Sequence, residues 1–171
     1  MGSVGAGAER NRKGEAFFLR DICQAAASSW QVAVRTKRTG TKMIRSFREL
    51  TVYQKAFQQA MRVFELTKHF PKEELYSLTD QMRRASRSVC TNIVESWRKR
   101  RYPAHIVSKL TDADSEATET MVWLDFALKC GYLTPTVHAE LSAEYEEIGK
   151  MLGAMLSAPD KFCYKSRKAI P

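Results

Sequence analysis

The chain has 171 residues, enough for one ordinary domain with a real core, and its 44% hydrophobic and 10% aromatic content excludes a compositionally disordered polymer. The formal charge is +9, but the excess lies at the ends: residues 1–43 carry 8 basic and 3 acidic side chains, and residues 160–171 carry 4 and 1. Residues 44–159 hold 16 basic and 15 acidic groups, so the high net charge says little about the folded part.

Residues 1–42 read as an N-terminal extension, poorly ordered or partly helical, with a short helix near 16–30. Met43 reads as the natural initiator, which would make the extension an unusual or mis-assigned start. The stretch 16–34 is interrupted by Arg20 and Asp21, so it neither spans a bilayer nor resembles a signal peptide core. Residues 43–158 carry the folded domain, and residues 159–171 form a basic tail. Cys23, Cys90, Cys130 and Cys163 lack Cys-x-x-Cys spacing and histidine partners at metal-ligand spacing, as expected for free thiols in a reducing cytoplasm.

Four helices are expected in order. Helix one opens on a capping box, Ser46 with Glu49 three residues later. Tyr53, Phe57, Ala60, Phe64 and Thr67 form its stripe, widened by Val52, Ala56, Val63 and Leu66, and Pro71 ends it. Helix two starts near 77–80 with Asp80 in the first turn, and its core face is Leu78, Met82, Ala85, Val89 and Ile93. It frays around Trp97. Helix three starts at Pro103, buries Ile106, Leu110, Ala113, Ala117, Met121, Leu124 and Leu128, and stops at Gly131. Helix four is capped by Thr134, with Leu141, Tyr145, Ile148, Leu152 and Met155 as its stripe. Helices of about 20 residues with short connections predict an all-α protein, an up-down-up-down antiparallel four-helix bundle.

The sequence around the first two helices resembles a known family. Ser46-Phe47-Arg48-Glu49-Leu50, followed by Val52-Tyr53-Gln54-Lys55-Ala56, is similar to the opening of the four-helix-bundle proteins encoded in intervening sequences of bacterial 23S rRNA genes. Phe70-Pro71-Lys72-Glu73-Glu74 and Thr79-Asp80-Gln81-Met82-Arg83-Arg84-Ala85 match its most distinctive stretch. Ser88-Val89, Asn92-Ile93, Glu95 and Gly131-Tyr132-Leu133 continue the match, which covers about 44–156. The resemblance implies a homopentamer. It also implies similarity to the accessory variability protein of diversity-generating retroelements, which partners a reverse transcriptase and binds nucleic acid. Cys90 stands where the family commonly has proline, Ser96 where it has glycine, and Arg87 where a small or apolar residue is usual. Losing the proline predicts a straighter helix two.

The candidate interface is the basic cluster of helix two: Arg83, Arg84, Arg87, Arg98, Lys99, Arg100 and Arg101. An arginine fork suits phosphate because it donates two hydrogen bonds at once. Trp97 and Tyr102 would offer stacking surfaces to unpaired bases. The competing explanation is a solvated face, or pairing across a subunit boundary with Glu140, Glu144 and Glu147. Tyr53, Asp80, Asn92 and Glu95 read as structural or interface residues, and Phe47, Trp123 and Tyr132 as core or interface. Asp112, Glu116 and Glu119 share a face, but a di-iron bundle site needs Glu-x-x-His, which His69, His105 and His138 do not supply. No nucleophile motif or phosphate loop occurs, so no catalytic residue, metal or cofactor is expected. The expected function is a non-enzymatic, cytoplasmic, homo-oligomeric bundle binding nucleic acid, with structured RNA favoured and no membrane partner. The alternative is a protein adaptor, such as an accessory subunit of a reverse transcriptase.

Overall fold

The computed structural model describes residues 44–163. The expected N-terminal extension, and the tail beyond residue 163, lie outside the described residues. Four helices account for the fold: α1 Thr51–Thr67, α2 Leu78–Arg98, α3 Pro103–Lys129 and α4 Pro135–Leu156. They hold 17, 21, 27 and 22 residues, or roughly 26–40 Å at 1.5 Å per residue. Among the described residues no helix is long and apolar enough to cross a membrane.

Side-chain links between neighbouring helices run in opposite chain order, as antiparallel neighbours require. Lys55 reaches Glu147 while Arg62 reaches Glu140, joining α1 to α4. Thr67 meets Arg83 while Phe64 lies under Arg87, joining α1 to α2. Lys109 of α3 meets Glu95 near the end of α2. His138 of α4 meets Asp125 near the end of α3.

The α4 stripe is the cleanest: Leu141, Tyr145, Ile148, Leu152 and Met155 are all buried. In α3 the stripe drifts by one residue late in the helix. Thr120 and Ala127 are buried, while Met121 and Leu128 are half-buried. In α1 the core is narrower than the stripe suggested. Val52, Ala56, Gln59, Ala60, Val63, Leu66 and Thr67 are buried, whereas Tyr53 and Phe64 are half-buried and Phe57 is exposed. Small side chains let α1 sit close to both neighbours, and the rings flank the seam.

The start of α1 differs from expectation, whereas α2 begins near 77–80 as expected with its cap supplied from outside the helix. The Ser46 hydroxyl accepts the Arg48 N–H at 3.3 Å and caps a 3-10 turn, Phe47–Glu49; the α-helix begins only at Thr51. At α2 the Ser77 side chain does not cap. Its hydroxyl donates to Glu74, whose carboxylate also accepts the Leu78 N–H at 3.3 Å. Tyr132 donates to the other Glu74 oxygen at 3.2 Å, and the Phe70 and Tyr132 rings lie 5.3 Å apart. The Ser77 hydroxyl, then the Leu78 N–H, hold the Glu74 carboxyl below its ordinary range. The family-like Phe70–Glu74 stretch thus clasps the α1–α2 connection to the α3–α4 turn, where Gly131 adopts φ 77°.

Helix α2 runs unbroken past Cys90 and Ser96, two of the three departures from the family pattern. Both are buried. Ser96 donates to the Ile93 carbonyl at 2.8 Å, which satisfies its hydroxyl without ending the helix. Burial pushes the Cys90 thiol up to about 12.

Candidate nucleic-acid interface

The basic cluster of α2 divides into two groups. Arg87 and Arg98 are separated by roughly 16 Å of helix axis. In the first group Arg83 is engaged inside the chain, while Arg84 and Arg87 are exposed. Arg83 Nε donates to Thr67 Oγ1 at 2.7 Å, and its guanidinium lies 5.0 Å from the Phe64 ring centroid. The Thr67 hydroxyl in turn donates to the Val63 carbonyl at 2.8 Å. Arg84 is 3.7 Å from Asp80, one turn earlier, in an exposed pair. It also faces Glu116 of α3, whose carboxyl is raised by burial and by Glu119 and Asp112, with Arg84 opposing. Arg87 is exposed, with its guanidinium 5.7 Å from Phe64.

The second group lies at the end of the bundle. The Lys99 N–H closes the helix on the Glu95 carbonyl at 2.8 Å. Lys99 also pairs with the Glu95 carboxylate at 3.3 Å. Arg98 and Arg101 are exposed. The Arg100 guanidinium covers the Trp97 ring at 3.4 Å. Trp97 is only 9% exposed, so it is closed to stacking by a base, contrary to expectation. Tyr102, 52% exposed, is the aromatic presented to solvent beside these cations.

The residues read as structural are engaged as follows. Lys109 of α3, which sequence reasoning missed, gathers Asn92 Oδ1 at 3.4 Å, Glu95 at 3.2 Å and Asp112 at 3.0 Å. Its three-residue spacing from Asp112 was the available signal. Asp112, then Glu95, raise the Lys109 ammonium; Lys109, then Lys99, lower the Glu95 carboxyl. Asp80 stands in the first turn of α2. Tyr53 meets Phe47 edge-on at 5.0 Å and stacks on Phe57 at 6.0 Å.

Glu140, Glu144 and Glu147, which the competing explanation paired with the basic cluster across a subunit boundary, are engaged within the chain. Lys55 bridges Glu144 at 3.0 Å and Glu147 at 2.7 Å, and Arg62 reaches Glu140 at 2.8 Å. Glu147, ahead of Glu144, raises the Lys55 ammonium. Position explains the difference: α4 packs beside α1 and carries its acids to the α1 cations.

Among the described residues, no group of three or more His, Cys, Asp or Glu side chains is placed to hold a metal ion. The Glu119 carboxylate accepts the Trp123 indole N–H at 3.0 Å, and Asp112 is held by Lys109.

The arrangement defines an all-α four-helix protein with a cationic end. A sequence model of the 23S rRNA-intervening sequence protein family matches residues 48–154, and the chain belongs to that family. It is similar to the crystal structure of a protein of unknown function from the S23 ribosomal protein family of Bacteroides thetaiotaomicron. The two are 27% identical with a TM-score of 0.58, over 63% of this chain and 96% of that one. No curated protein matches the chain.

Proposed function

We propose that the protein is a non-enzymatic, homo-oligomeric, cytoplasmic bundle that binds nucleic acid, preferring structured RNA, through the basic end of α2. The observation that carries this reading is the exposure of Arg98 and Arg101 beside Tyr102, at an end whose Arg100 is pinned on Trp97. Arg83, by contrast, is committed to Thr67. Self-association is supported by apolar side chains left outside the core: Phe57 and Met61 on α1, Val122 and Phe126 on α3. Repeating a modest basic patch around an oligomer raises avidity without a large charge per subunit.

The test is a salt titration of binding between the full chain and labelled structured RNA, with duplex DNA alongside. The expected result is a steep fall of log affinity with log salt. Replacing Arg98, Lys99, Arg100 and Arg101 with Ala should flatten that slope by about 1 for each cation that meets a phosphate. Absence of binding at low salt would replace this reading with that of a protein adaptor.

A further inference from the structure

The end of the bundle is assembled from segments far apart in sequence. Leu50, Trp97, Arg100, Ile106, Met155 and Phe162 line one small hollow of about 10 Å³. That is room for about one water and not a ligand. It shows, however, that the start of α1, the α2–α3 connection and the 3-10 turn after α4 meet there. The exposed cations adjoining Leu50 and Phe162, Arg48 and Lys161, therefore belong to the same end as Arg98 and Arg101. Glu49 and Asp160 only partly offset them.

Tyr102 is fixed at this end before any ligand arrives. Pro103 restricts the preceding residue to extended backbone, and Tyr102 sits at φ −130°, ψ 132°. Its carbonyl accepts the His105 N–H at 3.1 Å and the Ile106 N–H at 3.4 Å. Its ring meets His105 edge-on at 5.4 Å, and the Arg101 guanidinium lies 5.7 Å from the ring centroid. A half-exposed ring on a constrained backbone, with Arg101 beside it, finds little to stack on along a duplex, whose bases are already stacked. It suits a base free to leave its own strand.

We infer that this end binds an unpaired segment of RNA, one base stacking on Tyr102 while neighbouring phosphates meet Arg98, Arg101, Arg48 and Lys161. The inference rests on the RNA-binding reading above and narrows its ligand. With Trp97 covered, Tyr102 is the exposed aromatic side chain at this end among the described residues.

The experiment compares two fluorescein-labelled RNAs of equal length by anisotropy: a hairpin with a wide unpaired loop and a blunt duplex. The full chain and the variants Tyr102→Ala, Tyr102→Phe and Arg48→Ala/Lys161→Ala are titrated with both, and thermal melts check folding. The wild type should prefer the loop. Tyr102→Ala should lose about 5- to 100-fold on the loop, as expected for one stacked base, with duplex affinity unchanged. Tyr102→Phe should stay near wild type. Arg48→Ala/Lys161→Ala should weaken both RNAs and flatten the salt slope. Equal wild-type affinity for both RNAs, equal Tyr102→Ala losses on both, or no loss on either would overturn the inference while leaving RNA binding standing. So would a Tyr102→Phe loss as large as that of Tyr102→Ala. An unchanged Arg48→Ala/Lys161→Ala variant would remove the extended footprint, and a wild type that binds neither RNA would remove both readings.

Discussion

Arg83 and Arg98 are the same residue type on the same helix, yet they are employed differently. Arg83 lies in the second turn of α2, where the end of α1 passes close; its Nε is spent on Thr67 and its guanidinium lies over the Phe64 ring. Arg98 lies where α2 ends, and it is exposed. A basic cluster read along a sequence is thus not one surface. The helix face that carries a cation, together with what packs against it, decides whether it holds helices together or is left for an external anion: Arg84, next to Arg83, is exposed.

Arg83 offers the strongest way to break this comparison. Arg83→Ala removes a charge-assisted hydrogen bond and a ring contact, so stability should fall by about 1–3 kcal/mol in denaturant melts. RNA affinity and salt slope should hardly move. Arg83→Lys sharpens the test, because it keeps the charge but has no Nε fork to offer Thr67. It should therefore melt early as well. A Lys variant with full stability, paired with an Ala variant that loses RNA binding, would place Arg83 in the binding surface.

A smaller effect is expected at the α1–α4 seam. Arg62→Ala removes the pair with Glu140, a partly exposed contact, and such pairs contribute about 0–1 kcal/mol with screening by salt. The loss should shrink as salt rises. Self-association, read by sedimentation, should be unchanged, since this pair lies within one chain. A variant that stays folded but changes its assembly state would return these acids to a subunit boundary.

The smallest expected effect is at Glu95. Lys109 first, then Lys99, hold its carboxyl below the ordinary 4.5. A depressed folded-state pKa stabilises the fold above the unfolded value, and that contribution disappears as pH falls through the folded value. The Glu95→Gln variant should accordingly melt slightly below wild type near neutral pH. The two melting temperatures should converge as pH falls below about 4.5. A gap that persists at low pH would assign the role to packing instead of charge.

The fold was legible because helical periodicity reports burial directly wherever a helix has one apolar face. The five stripe positions of α4 are all buried, and Pro103, Gly131 and Thr134 punctuate as local chemistry requires. The α1 stripe was misread because ring size was taken as a sign of depth. Its closest packing uses Val52, Ala56, Ala60 and Val63. The start of α2 fell near 77–80 as expected, although the Leu78 N–H is accepted by Glu74, three residues before Ser77.

Within residues 44–163, the sequence by itself determined the number, order and approximate bounds of the helices, because propensity, capping and periodicity act within a few residues. Which charges remain for a partner was decided only by tertiary structure. Lys55 and Arg62 find Glu147 and Glu140 across the α1–α4 seam, and Arg83 finds Thr67 across the α1–α2 seam. These pairings depend on which helix faces which, and at what height. Electrostatic attraction falls with distance in space and takes no account of separation along the chain.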